Sequence, residues 1–321
     1  MVGKVTPDTM MSASRIPALL GLSRYRTRND ELQLSIDAIR GVEREEKHIE
    51  AADWGSRLEP IILREAALRL QLRALELDHP IARYHSDLPL CCSLDGTADG
   101  GGQVITTDPE VGIYVVGQDS ITIDGTGVLE AKLTSHWPED VPNLERGPLQ
   151  LQAQMDIIQA KWGAVCVLYQ GTELRVFLFA PHPLTVSSIS HAVLDFERRL
   201  QAFRDTGAAD WYPPADQADV DRMHPVAVDQ RIALPATAEQ LIEDVRKAQQ
   251  EIEDWHTKKN SAETALKAML GSFTEGTVGK HLVRWPMRHY KAVPASTKQI
   301  PAKEAYSVRQ STLAIKELKN G

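Results

Sequence analysis

Glu130-Ala131-Lys132 closes the apolar run Gly127-Val128-Leu129 and lies downstream of Ser93-Leu94-Asp95-Gly96. A carboxylate on one strand facing a carboxylate-x-lysine on the next can hold a hard divalent cation beside an ammonium group, the equipment for hydrolysing a phosphodiester. Residues i and i+2 of a strand project to one face, so Glu130 and Lys132 emerge together while Ala131 points away. The triplet alone says little, because Glu-x-Lys also occurs at Glu45-Glu46-Lys47 and Glu317-Leu318-Lys319, and such a pair is ordinarily a surface ion pair. Setting separates the middle copy. The first lies in a charged stretch of helical pattern and the last at the C-terminus, whereas Glu130 follows a Gly-flanked β-type run.

Elements on both sides must position this group. A short helix is expected from Ser14 to Gly21, and helical periodicity returns over Asp30–Ile39 and over Asp53–Leu77, which carries Glu59. β-type runs follow at Ile81–His85, Leu88–Leu94, Val104–Thr107, Ile113–Val116, Ile121–Ile123 and Gly127–Leu133. The Gly-, Thr- and Asp-rich stretch Gly100–Gly127 reads as one or two hairpins that lengthen the sheet and project from the core. A helix is expected from Pro148 to Trp162, strands at Ala164–Tyr169 and Leu174–Phe179, and a helix over Thr185–Phe203. The Pro/Asp/Ala-rich stretch Trp211–Asp219 reads as linker. The organisation expected is therefore a core over 1–210, a linker over 211–236, a long amphipathic helix over 237–271 and a small basic region over 272–321.

Composition bounds the function classes. An apolar share of 42% over 321 residues suits a folded chain. No run of about 18 apolar residues and no secretory succession at the N-terminus is present, so a cytoplasmic protein with no membrane partner is expected. Three cysteines, Cys91, Cys92 and Cys166, build no disulfide framework and fall one thiolate short of a four-cysteine iron–sulfur or zinc site; they read as buried apolar side chains. The net charge of -8 opposes nucleic-acid binding only on average. From Lys280 onward Lys280, Arg284, Arg288, Lys291, Lys298, Lys303, Arg309, Lys316 and Lys319 face only Glu304 and Glu317, and Arg15, Arg24, Arg26 and Arg28 cluster near the N-terminus.

Four separate segments, in order, resemble the YqaJ-like family of phage recombination exonucleases, which includes lambda exonuclease and lies in the PD-(D/E)xK superfamily. They are Ser12-Ala13-Ser14-Arg15-Ile16-Pro17-Ala18-Leu19-Leu20-Gly21-Leu22-Ser23, the stretch Trp54-Gly55-Ser56-Arg57-Leu58-Glu59-Pro60, the pair Ser93-Leu94-Asp95-Gly96 with Leu129-Glu130-Ala131-Lys132, and Gln150-Leu151-Gln152-Ala153-Gln154-Met155. The resemblance covers roughly Ser12 to Phe179. It implies an α/β fold with a PD-(D/E)xK restriction-endonuclease-like core, a central mixed sheet flanked by helices, followed here by a C-terminal helical arm and a small basic region.

Chemistry and resemblance together assign roles. Mg²⁺ takes oxygen ligands and keeps several waters, so Asp95 and Glu130 form a suitable partial cage for one or two Mg²⁺ or Mn²⁺ ions. The resemblance adds the Ala131 backbone carbonyl as a ligand, and Glu59 either contacts a second ion or orients the attacking water. Lys132 stabilises charge on the phosphoryl group, and Gln152 positions Lys132 or the water. Of Gln150, Gln152 and Gln154, at most one or two can face the site. By resemblance Ser14 and Arg15 bind the terminal 5′-phosphate. The basic residue that the family carries upstream of this serine is missing, Lys4 being the only upstream cation, and Arg24, Arg26 or Arg28 can substitute. His79, His85 and His136 are not needed, and Trp54 reads as core.

The resemblance implies a metal-dependent exonuclease that degrades one strand of linear double-stranded DNA, 5′ to 3′, and leaves 3′ single-stranded tails. It also implies a single-strand annealing protein as partner and a homo-oligomer, a ring-shaped trimer in form. Two other readings stay open: another PD-(D/E)xK nuclease, RecB-like, CRISPR-associated or a structure-specific endonuclease, and a catalytically silent DNA-binding recombination scaffold.

Overall fold

The computed structural model describes residues 6–42, 50–77 and 79–287, which fall into two units, Met1–Met223 and His224–Gly321. The first begins with a short strand, Met11–Ser12 (β1), a 3-10 turn at Ala13–Arg15 and the helices Ile16–Leu19 (α1), Arg28–Ile39 (α2) and Glu50–Arg69 (α3). Eight strands follow: Arg73–Glu76 (β2), Arg83–Tyr84 (β3), Leu90–Cys92 (β4), Gly96–Asp99 (β5), Gln103–Thr106 (β6), Ile113–Val115 (β7), Ser120–Ile123 (β8) and Thr126–Thr134 (β9). Helix Pro148–Ile158 (α4), strands Gly163–Tyr169 (β10) and Glu173–Phe179 (β11), and helices Pro183–Thr206 (α5) and Gln217–Met223 (α6) complete it. The second unit holds helix Ala238–Leu270 (α7) and a hairpin of Glu275–Val278 (β12) and His281–Arg284 (β13).

The main sheet has the order β2-β5-β9-β10-β11-β7. β9 and β10 run parallel, with Glu130 opposite Val165, and β5 runs antiparallel to β9, with Gly96 opposite Leu129. Its central strands are apolar on both faces, as a sheet covered on both sides requires. On one face Leu129, Ala164, Cys166 and Val176 pack against Ile62, Leu63 and Ala66 of α3. On the other, Val128, Val165, Val167 and Phe177 meet Leu151 and Met155 of α4 and Val193, Phe196 and Leu200 of α5. Glu130 falls two residues after Val128 and so turns to the α4 face. Gly127 is fixed by packing: a Cβ there would lie 2.1 Å from the buried indole of Trp162, whose Nε1 donates to the Gly125 carbonyl at 3.1 Å.

The α/β core with its central mixed sheet flanked by helices is as expected, and so is the long C-terminal helix. Several boundaries differ. The third helix stops at Arg69 rather than Leu77, because Gln71 turns left-handed (φ +52) and the Leu72 amide bonds back to the Ala67 carbonyl at 2.9 Å; the chain after it becomes β2. The α4 helix likewise ends before Trp162, at a left-handed Gln159. β6 and β8 form the expected hairpin-like pair, but β7 between them crosses to the far edge of the main sheet and pairs parallel with β11. Burial drives this departure: Ile113, Ile121 and Ile123 all lie in the core under α3.

The stretch 211–223 is not linker but part of the first unit. Tyr212 is buried beneath the Arg199 guanidinium, 4.0 Å from the ring centroid. Buried Asp219 accepts from Thr27 Oγ1 at 2.8 Å, Asn29 Nδ2 at 3.1 Å, the Ala215 amide at 3.0 Å and Arg222 at 2.7 Å. These bonds latch α6 to the start of α2. Trp54 is 48% exposed, not core, with the Arg57 guanidinium 5.5 Å over its ring. All three cysteines are buried and outside any disulfide. Of the basic C-terminal residues, Lys280 and Arg284 are described and those from Arg288 onward lie outside the described residues.

Candidate active site

The β5–β9 pairing decides the site. Asp95 sits immediately before β5, and because Gly96 is opposite Leu129 its carboxylate reaches across to β9, where Oδ2 accepts the Ala131 amide at 2.9 Å. Glu130 is 1% exposed and both its oxygens are engaged: Oε1 accepts from Lys132 Nζ and Oε2 from Gln154 Nε2 at 2.7 Å. Lys132 Nζ also donates to Gln150 Oε1 at 3.1 Å. Gln154 Nε2 reaches further, to the Ser93 carbonyl at 3.1 Å, and so ties α4 to β9 and to the segment between β4 and β5 that carries Asp95.

Charge crowding is the main electrostatic feature. Burial, then the negative charge of Glu130, pushes Asp95 well above the usual carboxylate range, against the pull of Lys132 and the Ala131 amide. Glu59, half-buried on α3, is raised for the same first two reasons and drawn down by Lys132, which places it within electrostatic reach of the group. Burial alone would lower Lys132, but Glu130 and Asp95 outweigh it and hold the ammonium above its ordinary value. Three carboxylates thus share one cation, and the surplus negative charge fits a bound divalent ion. Among the described residues no three His, Cys, Asp or Glu side chains form a ready-made cage; a Mg²⁺ site held by two carboxylates and several waters needs none.

Gln152 does not join this group. Its Nε2 donates to the Ala180 carbonyl at 2.9 Å and its Oε1 accepts the His182 amide at 2.8 Å, fastening α4 to the start of α5. Helix geometry explains the assignment: residues 150 and 154, four apart, share the face turned to β9, whereas 152 lies about 200° away from each. The i, i+4 spacing of Gln150 and Gln154 was the signal available in the sequence. Gln154 Oε1 is buried with no hydrogen-bond partner among the described residues.

A cleft of about 480 Å³ opens beside Lys132, lined by Ser14, Arg15, Tyr25, Arg26, His136 and Arg146 together with Glu31 and Glu145. The parallel pairing of β1 with β4 brings the Ser14–Arg15 turn here. Ser14 is exposed. Arg15 is 5% exposed and spent on internal bonds, to Glu31, to Ser35 Oγ at 2.9 Å and to the Met10 and Glu31 carbonyls at 3.0 and 2.7 Å, so it shapes the cleft wall. Arg26 pairs with Glu31 at 3.1 Å and keeps 38% exposure. Arg24 pairs with Glu145 at 3.1 Å, and Arg28 lies over the Tyr212 ring at 5.8 Å; neither lines the cleft. Arg146, which the sequence did not single out, does. His85 is engaged by Asp156 at 3.3 Å, whereas His136 faces the cleft.

The family model of the YqaJ-like viral recombinase domain matches residues 7–157, a span that holds Ser14, Glu59, Asp95, Glu130, Lys132 and the three glutamines. Over these residues the chain is similar to the YqaJ-like viral recombinase domain. Its core is a mixed sheet flanked by helices. No curated protein matches the chain. Among solved structures the chain is similar to an alkaline exonuclease from Laribacter hongkongensis, LHK-Exo, in complex with dAMP, at 15% identity and a TM-score of 0.45, covering 62% of this chain and 94% of that one. A phage-related exonuclease from Haemophilus somnus 129PT is similar at 8% identity and a TM-score of 0.39, with 62% and 96% covered. Outside the matched residues lie β10, β11, α5 and α6, which complete the sheet and core of the first unit, and the whole of the second unit.

Proposed function

We propose that this YqaJ-like domain is a metal-dependent deoxyribonuclease that degrades one strand of linear double-stranded DNA from its 5′ end, leaving 3′ single-stranded tails for an annealing protein. One observation carries the reading: Asp95, Glu130 and Lys132 converge across β5 and β9, joined by the Ala131 amide on Asp95 and by Lys132 on Glu130.

Asp95 and Glu130, with the Ala131 carbonyl, would hold Mg²⁺ or Mn²⁺, and Glu59 stands near enough to serve a second ion or the attacking water. When bound, the cation neutralises charge on the phosphodiester and eases the departure of the leaving oxygen. Lys132 keeps its proton on Nζ, since Glu130 and Asp95 raise its affinity for it, and places a fixed positive charge where negative charge builds on the phosphoryl oxygens. Gln150 orients that ammonium and Gln154 fixes the Glu130 carboxylate. The cleft beside Lys132, with the Ser14 hydroxyl and the cations Arg26 and Arg146, suits a terminal phosphate, which supports action from a 5′ end.

Linear duplex, nicked circle and covalently closed circle, each incubated with Mg²⁺ or with EDTA, test the proposal. Degradation of the linear form alone, only with Mg²⁺ and faster on 5′-phosphorylated ends, is expected. Cutting of closed circles would instead indicate an endonuclease, and binding without products under either condition a recombination scaffold.

A further inference from the structure

The α7 helix of the second unit carries a heptad seam. Leu241, Val245, Ala248, Ile252, Trp255, Lys259, Ala262, Leu266 and Met269 follow one another at alternating spacings of four and three residues. With Val245, Ile252, Lys259 and Leu266 at a positions, the d positions are Leu241, Ala248, Trp255, Ala262 and Met269. A straight helix drifts about 20° per heptad from such a stripe, so a seam held for four heptads suits a supercoiled partner helix better than a flat surface. The seam is open: Ile252 is 58% exposed, Trp255 66% and Met269 82%. Among the described residues of the second unit the β12–β13 hairpin engages the last turns, where Leu270 is buried beside Gly276 and Lys267 lies over the Trp285 ring.

Charge selects the partner. Between Ala238 and Asp254 the carboxylates Glu239, Glu243, Asp244, Glu251, Glu253 and Asp254 outnumber Arg246 and Lys247. Between Trp255 and Leu270 the cations Lys258, Lys259 and Lys267 outnumber Glu263. The helix is therefore acidic in its first half and basic in its second. A parallel in-register copy would lay acid on acid and stack Lys259 on its own counterpart in the core. An antiparallel copy sets each acidic half against a basic half and puts a d residue opposite Lys259. Pairing each a residue with a d residue, Val245 with Met269, Ile252 with Ala262, Lys259 with Trp255 and Leu266 with Ala248, puts the two-fold axis of such a pair near Thr257.

We propose that α7 pairs with α7 of a second copy of this chain as a two-stranded antiparallel coiled coil, joining two copies through their second units. The β-branched Val245 and Ile252 at a fit two strands, and a single charged a residue is a known means of restricting register and partner number, at some cost in stability. The inference does not depend on what the first unit catalyses.

Light scattering on the full chain supplies one test. The Ile252→Asp/Leu266→Asp variant is expected to show half the mass of the wild type, with the near-UV circular dichroism of the first unit retained. A spin label on Gln240→Cys supplies orientation, since Cys91, Cys92 and Cys166 are buried and stay unlabelled. At 1.5 Å per residue an antiparallel pair centred near Thr257 puts the two labels about 50 Å apart, and a parallel pair about 10–15 Å. Equal masses for wild type and variant, or the short distance, would overturn the proposal. A monomeric wild type would do so as well, since the seam would then belong to a different protein.

Discussion

Gln152 and Gln154 differ by two positions and do different work. Gln154 donates to the carboxylate that would hold the ion, and Gln150 accepts from Lys132; Gln152 donates to one backbone carbonyl and accepts one amide at the α4–α5 junction. Groups that orient a metal ligand typically cost about 10–100-fold when removed. Gln150→Ala is expected to slow turnover by that order with little change in melting temperature, and Gln154→Ala to slow it likewise while also losing stability through the Glu130 carboxylate and Ser93 carbonyl it leaves unpaired. Gln152→Ala should keep turnover within a few-fold and lose about 1–3 kcal/mol of stability from the groups left unpaired. Steady-state kinetics and urea denaturation of the three variants separate the roles; a catalytic defect confined to Gln152→Ala would reverse them. Asp95, Glu130 and Lys132 were legible in the sequence because strand alternation is local. Which glutamine meets them was legible only in part, since the phase of α4 against β9 is set by packing on both faces of the sheet.

The latch between α2 and α6 shows what linear reading of elements misses. Pro, Asp and Ala in 211–219 signal a loop, yet buried Asp219 gathers donors from Thr27 and Asn29, 192 and 190 residues away in the chain, as well as from nearby Ala215 and Arg222. Burial alone would raise this carboxyl, and those donors outweigh it and hold it below the ordinary range. A carboxyl whose folded pKa is depressed stabilises fully above its unfolded value, about 3.9, and loses that contribution as pH falls through the folded value. Asp219→Asn is therefore expected to cost about 1–3 kcal/mol at pH 7 and to differ least from wild type below the unfolded value. Urea titrations at pH 7 and pH 3 measure this; a deficit that grows toward acid would contradict the assigned partners. The β7 crossover was hidden for a related reason. A three-residue strand carries too little periodicity to reveal which edge of a sheet it joins, and only the burial of Ile113, Ile121 and Ile123 under α3 decides it.

At the scale of the molecule, both hydrophobic clusters lie wholly within the first unit, as do Glu59, Asp95, Glu130 and Lys132. A fragment ending at Met223 is expected to melt cooperatively and to keep the cleavage rate per chain under single-turnover conditions. Circular dichroism and an end-labelled duplex check this, and a fragment that folds without activity would show that the second unit completes the site. The sequence placed the long helix to within a residue at each end of α7, because apolar periodicity over four heptads is unambiguous. It placed the end of the first unit 13 residues early because composition does not register docking. The Asp95–Glu130–Lys132 group as hydrolytic centre is tested by nucleotide release from 5′-phosphorylated linear duplex with Mg²⁺ by wild type, Asp95→Ala, Glu130→Ala and Lys132→Ala. Release is expected to vanish in the two carboxylate variants and to fall by about 10² to 10⁴ in Lys132→Ala, all three melting cooperatively; variants that release nucleotides at the wild-type rate would contradict it.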